Sequence, residues 1–254
     1  MTAGGAGVVH WRESAGSTND EALALARGGA PDGTAVAARR QTRGRGRLGR
    51  TWHGDEPGNV YVSVVHRPTR SPAELSGLTL DVAVAVAGVL ALEGVEVALK
   101  WPNDLLVGER KLGGILTELH GSPDDDGGVV VIVGVGVNVA ARADLPPDVA
   151  AIATSVAEVT GRAHDADAIA EAIAGAVARA CREFGVRGVP DRERYLARCA
   201  SVGRRVRVGG GATGRVTGVD EHGALLVAFD RREGEEAVRA GLVEHLPEEG
   251  EPEP

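Results

Sequence analysis

The sequence predicts an α+β protein: a mixed β-sheet packed with helices, followed by a small β-barrel. Three observations predict it. Over the first two hundred residues, β-branched runs such as "GNVYVSVVHRP" interleave with apolar helical stretches. One run, "GVVVIVGVGVNV", has no polar alternation, as expected of a strand buried on both faces. From about Ser201 onward only short β runs remain, parted by Gly, Asp or Glu. The chain is therefore divided into residues 1–200, of catalytic-domain size, and residues 201–250, a barrel of roughly five strands near the lower size limit for an independent core.

The elements follow in order. "GSTNDEALALARGG" reads as a helix, with Thr18 and Glu21 at capping-box spacing and Gly28 to end it. "GTAVAARRQT" is a short strand, and "GNVYVSVVHRP" is another after an arginine-rich loop. "SPAELSGLTLDVAVAVAGVLALEG" opens a helix at Ser71, with Pro72 at the first helical position and Glu74 behind it; its all-round apolar character predicts burial. "VEVALKWPNDLLVGERKLGGILTELHG" reads as strand, turn, strand, hairpin, strand. "LPPDVAAIATSVAEVTG" and "DADAIAEAIAGAVARACREFG" are helices, the second with Ile169, Ile173, Val177, Ala180 and Phe184 on one face. "RRVRV", "TGRVTGV", "GALLVAF" and "EEAVRAGLVEHL" supply the barrel, and the tail "PEEGEPEP" is disordered by composition.

Composition excludes several classes. A formal net charge of −8 opposes general affinity for nucleic acid or an anionic membrane. Cys181 and Cys199 form neither a disulfide framework nor a metal motif, and the histidines lack ligand spacing, so no metal site is assigned. The N-terminus has no signal-peptide pattern, and the apolar runs Val82–Leu92 and Val129–Ala140 are too short to span a bilayer. A cytoplasmic protein is expected.

"TRGRGRLGRTW", Thr42–Trp52, carries G-x-G-x-x-G at Gly44, Gly46 and Gly49, and arginines at 43, 45, 47 and 50. A dinucleotide turn needs a helix next; a strand follows instead. A nucleic-acid tail needs repeats, and there is one copy in an acidic chain. A plain solvated loop gains nothing from four clustered like charges. The remaining reading is a mobile loop that closes over a phosphate-bearing ligand, with guanidinium forks binding phosphate or carboxylate. Only two of the 28 basic residues are lysines, Lys100 and Lys111, and both lie in "LKWPNDLLVGERKLGG". Lys100 ends an apolar strand, where a side chain projects into a cleft; chance clustering of the pair is the alternative.

"GRGRLGRTW", "KWPNDLL", "KLGGIL" and "VGVGVNV", in that order and preceded by "STND" and Gln41, resemble the biotin protein ligases. The resemblance covers most of Ser17–Ala140, and the C-terminal unit matches the family's SH3-like domain more loosely. It implies ATP-dependent attachment of biotin to a lysine of a biotin carboxyl carrier domain, through biotinyl-5′-AMP, with Mg²⁺ on the phosphates. It implies biotin contacts from Ser17, Thr18, Asn19, Gln41, Arg45, Gly46, Arg47 and Lys100. Lys100, Arg45 and Arg47 would be catalytic, offsetting repulsion between carboxylate and triphosphate. Leu48 stands where many members carry a further arginine, so the loop has one charge fewer and keeps the pair flanking Gly46.

Gly113 and Gly114 are read either as approach points for the biotin ring or as strand bends, as are Gly134 and Gly136. Asn103, Asn138, Lys111 and Trp52 are assigned to ATP. Asn103 and Asp104 would either meet Mg²⁺ or build a turn; Trp52 would cover adenine or pack in the core. About sixteen residues precede "STND", so a monofunctional type without an N-terminal DNA-binding domain is expected. Alternatives are a lipoate or octanoate ligase or transferase and, more distantly, a nucleic-acid-binding module.

Overall fold

The computed structural model describes residues 8–54, 56–121, 128–141 and 145–247. The acidic tail, from residue 248, lies outside them. Seven strands form one sheet in the order β1 (Val9–Arg12), β2 (Ala35–Ala38), β5 (Val60–His66), β9 (Val130–Val137), β8 (Arg110–His120), β7 (Asp104–Val107) and β6 (Ala98–Lys100). Only β1 and β2 pair in parallel; the others are antiparallel, so the sheet is mixed as expected.

Helices α2 (Leu78–Leu92) and α5 (Ala166–Arg187) cover one face; α1 (Thr18–Arg27) lies on the other. Strand alternation explains the split. Val60, Val62 and Val64 of β5 join the large core, while Val65 meets Ala22 and Ala26 of α1, and Ser63 bonds the start of α1. On β9, Val131, Val133, Val135 and Val137 enter the same large core, whereas Ile132 packs with the α1 cluster. Gly134 and Gly136 face Asn19 and Trp52. The run that looks uniformly apolar therefore has two faces, a valine side and a glycine side.

Several local expectations change. The N-cap of α1 is Ser17, not Thr18, and the side chain of Ser17 makes no capping bond. Gln41 instead accepts the Thr18 backbone N–H at 2.8 Å, so a neighbouring strand caps this helix. Ser71 and Glu74 do form a capping box, but on a 3₁₀ turn, Pro72–Leu75, that precedes α2. The helical stretch Pro72–Leu92 is long and apolar enough to cross a membrane by length and composition, unlike the shorter run weighed from sequence. It is packed instead in the protein core, with Leu78, Val82, Val86 and Leu90 fully buried. "LPPDVAAIATSVAEVTG" makes two short helices, α3 (Pro147–Ile152) and α4 (Val156–Thr160). A further helix, α6 (Arg192–Leu196), is illegible from periodicity at five residues.

The arginine segment is a hairpin: β3 (Gln41–Arg45) pairs with β4 (Thr51–Gly54) across a 3₁₀ turn at Arg47–Gly49. Leu48 adopts φ 57°, ψ 31°, a left-handed conformation costly for a side chain of this kind. The C-terminal strands β10 (Arg205–Val208), β11 (Ala212–Val219), β12 (Leu225–Phe229), β13 (Glu235–Val238) and β14 (Val243–His245) form an antiparallel sheet in the order β13-β12-β11-β10-β14. Among the described residues no β13–β14 pairing closes it, so the expected barrel is an open five-stranded sheet. Its Val206, Val216, Leu225 and Val227 join the same buried cluster as the large sheet.

Candidate active site

A cavity of about 290 Å³ opens between α1, the arginine hairpin, the glycine face of β9, the turn before β7, helix α3 and residues Gly241–Val243. Its floor is a buried polar network. Gln41 Oε1 accepts from the Thr18 backbone at 2.8 Å and from Thr18 Oγ1 at 3.1 Å. Ser63 Oγ lies 2.6 Å from Asn19 Oδ1 and 2.8 Å from Thr18 Oγ1. Asn19 Nδ2 donates to Glu118 Oε2 at 2.7 Å. Ser17, Thr18, Asn19, Gln41 and Ser63 are all buried. Fixed amides and hydroxyls of this kind suit a neutral polar ring, because their bonding directions are set before a ligand arrives.

Glycine makes these approaches possible. A Cβ at Gly134 would come 2.2 Å from Asn19 Oδ1, and one at Gly136 would come 2.7 Å from the Trp52 indole. A Cβ at Gly113 would meet the Gly136 carbonyl at 2.6 Å. These three glycines thus admit protein groups, and Gly134 and Gly136, like Gly114, also line the cavity. Trp52 also lines it, and its buried Nε1 has no hydrogen-bond partner among the described residues.

The charged wall has a distinct construction. Arg45 forks onto Asp20, at 2.9 and 2.8 Å, and reaches Glu118 at 3.3 Å. Arg47 donates to Asn103 Oδ1 at 3.2 Å and points toward the Gly241 carbonyl at 3.5 Å; burial pulls its pKa down. Lys111 bonds Asp104 at 2.5 Å and stands 5.7 Å above the Trp52 ring. Asn103 also donates to the Ile115 carbonyl, and Asn138 to that of Thr154, so both have structural bonds as well as cavity surface.

Of the residues singled out from sequence, Ser17, Thr18, Asn19, Gln41, Arg45, Gly46, Arg47, Trp52, Asn103, Lys111, Gly114 and Asn138 line this one cavity. Lys100 and Gly113 do not. Lys100 sits directly behind the lining turn, opposite Asp104 in the β6–β7 register, and burial lowers its pKa. Sequence reasoning missed Ser63, Asp20, Glu118 and Gly241–Val243. Ser63 and Glu118 were findable as polar residues inside apolar strands. Nothing in the sequence marks Gly241–Val243, which reach the cavity only through tertiary packing.

Residues 13–138 match the biotin/lipoate A/B protein ligase family. The biotin–[acetyl-CoA-carboxylase] ligase of Mycobacterium tuberculosis is 35% identical over 259 residues, covering 93% of this chain and 90% of that protein. The chain belongs to this family. Among other members, the bifunctional ligase/repressor BirA of Bacillus subtilis is 33% identical over 216 residues, which cover 83% of this chain and 66% of that protein. The biotin protein ligase of Aquifex aeolicus, solved in complex with biotin and ATP, superposes with a TM-score of 0.77 at 28% identity, covering 94% of this chain and 99% of that one. The family fold is thus present across both sheets.

Proposed function

We propose that the protein is an ATP-dependent biotin ligase acting on a lysine of a biotin carboxyl carrier domain. One observation carries the reading: a single cavity joins a rigid neutral-polar floor to a wall of guanidinium and ammonium groups. The floor, Ser17–Asn19 with Gln41, would hold the ureido ring, with Ser63 bracing Thr18 and Asn19 from behind. The wall would take the carboxylate and the triphosphate. Biotin is favoured over lipoate because relatives that align over 90% or more of their own length are named for biotin.

In the first half-reaction the biotin carboxylate oxygen attacks the α-phosphorus and pyrophosphate leaves. Arg47 lies on the cavity wall, and Lys100 lies behind it, where each can offset the repulsion between the two anions. In the second, the acceptor amine attacks the acyl carbon and AMP leaves. Arg45, already paired to two carboxylates, would anchor the hairpin as a lid that keeps water from the mixed anhydride.

No cluster of three or more His, Cys, Asp or Glu able to hold a metal occurs among the described residues, and Asp104 is the cavity's one lining carboxylate. That donor set fits Mg²⁺ only as an ion carried by substrate phosphates and water, with Asp104 and Asn103 as outer partners. It would neutralise phosphate charge. The C-terminal strand order, a four-strand meander whose fifth strand returns beside the first, supports an SH3-like unit beginning near residue 201. A cytoplasmic location fits the reading.

Calorimetry tests the proposal. Biotin should bind alone, and more tightly with ATP and Mg²⁺ present. Equal or stronger heats from lipoate, or none from biotin, would refute it.

A further inference from the structure

We propose that His245, acting through Ser201, is a positioning residue that locks the Lys100–Asp104 turn to the C-terminal sheet. The inference rests on the ligase reading and assigns that sheet a part in the first half-reaction.

Ser201 is fully buried. Its Oγ lies 3.1 Å from the Trp101 backbone nitrogen and 3.0 Å from His245 Nε2. The Trp101 N–H can only donate, so Oγ accepts there. The hydroxyl hydrogen then needs an acceptor, and among the described residues His245 Nε2 is the one in reach. Directionality therefore fixes a neutral imidazole with its hydrogen on Nδ1. The protein environment agrees: burial, with Lys100 and Arg204 adding to it and Asp104 opposing, pushes the His245 pKa down to about 4. A neutral ring also spares the half-buried Lys100 ammonium a neighbouring like charge.

The relay is one of several ties on the same turn. Trp101 Nε1 donates to the Gly223 carbonyl at 2.9 Å, and Leu99 exchanges backbone bonds with Arg198 and Ala200 at 2.8 and 2.9 Å. His245 is paired with Val206 across β14 and β10, so the relay crosses from the C-terminal sheet to the turn that carries Lys100, Asn103 and Asp104. Loss of one end leaves a buried hydroxyl without its acceptor and loosens the tie at the Trp101 amide while the others remain; even a small misplacement of reacting groups is costly to rate.

The test compares His245→Phe, His245→Gln and Ser201→Ala with wild type in biotin-dependent ATP–pyrophosphate exchange, and follows hydrogen exchange at the Trp101 amide. His245→Phe and Ser201→Ala should each lower kcat about tenfold, with KM for biotin within about twofold, and speed exchange at Trp101. His245→Gln, which keeps an acceptor, should recover most of the kcat. The double variant should lose no more than either single one, because both break one relay. The inference is overturned if kcat per folded molecule and Trp101 exchange stay at wild-type values, if Gln and Phe impair equally, or if the double loss is additive. Should His245→Phe not fold, Ser201→Ala against Ser201→Thr decides it by the same measures. Wild-type protein silent in exchange would refute the ligase reading itself, and the Trp101 amide still reports whether the relay exists.

Discussion

Two segments close the cavity, and they are built in opposite ways. The arginine hairpin is a two-stranded ribbon with Arg43, Arg45, Leu48, Gly49 and Arg50 exposed. Ion pairs hold its outer end, Arg45 to Asp20 and Glu118, with Arg47's bond to the neutral Asn103; at its base the Thr42 and Arg43 N–H groups donate to the Ala15 and Gly16 carbonyls at 3.0 and 2.7 Å. Apolar contact is modest, with Trp52 against Gly136 and Gly54 against the Tyr61 ring. The Lys100–Asp104 turn is pinned on all sides, with Trp101 only 3% exposed and its two nitrogens both bonded to the C-terminal unit. Exposed ion pairs contribute little and yield to salt or a competing anion, whereas buried directional bonds hold geometry. The contrast implies a division of labour: a yielding arm that admits and covers ligand, and a fixed frame that presents charge to the reacting centre.

The largest expected effect comes from the frame. Lys100→Ala should lower biotin-dependent pyrophosphate exchange about 10³-fold, as removal of a preorganised charge does. The melting temperature should stay within about 2 °C, because among the described residues the ammonium forms no ion pair, and burial disfavours it. Activity kept in this variant, or lost together with the fold, would break the contrast, since the frame would then be scaffolding only.

The arm gives a smaller effect of another kind. Arg47→Ala removes the hairpin's bonds to Asn103 and Gly241. Adenylate should still form, at a rate reduced roughly tenfold, and should escape into solution before transfer. Labelled ATP measures that escape. Full retention of the adenylate would mean that Arg47 plays no part in the cover.

How much of this was legible beforehand follows the same contrast. The frame's strand, turn and strand were readable because β-branched runs and "WPND" punctuate the chain. What holds the frame was not, because Ser201, Gly223 and His245 lie a hundred or more residues away and carry no local pattern. The glycines of "VGVGVNV" were read as room for a ligand ring or as bends; Gly134 and Gly136 line the cavity, and what local pattern could not show is that they also make room for Asn19 and Trp52, side chains from distant segments. Of the hairpin's arginines, Arg45, Arg47 and Arg50 line the cavity and Arg43 does not. Sequence could not reveal that Arg45 is already neutralised, since Asp20 and Glu118 are brought to it by α1 and β8. Likewise the Thr18 cap failed because a residue on another strand, Gln41, outcompetes a local side chain.

The Arg45–Asp20 clasp yields the smallest effect and tests the arm's softness directly. Hydrogen bonding to Arg45 holds the Asp20 carboxyl below its ordinary 3.8, against an opposing push from burial. A depressed folded pKa stabilises above the unfolded value and is lost as pH falls through the folded one, so the clasp should be intact at neutral pH and fail only below about 3.8. Both side chains are substantially exposed, 39% and 51%, so the pair is worth about 0.5 kcal/mol after screening. Asp20→Asn at pH 7 should therefore speed amide exchange across Gln41–Gly54 about twofold and leave the melting temperature unmoved. Salt near 1 M should bring the wild-type hairpin to the same rate and change the variant little, because the Debye length then falls to about 3 Å. A melting temperature lowered by several degrees would place the hairpin in the cooperative fold rather than on a yielding arm, and the two closing segments would no longer differ in kind.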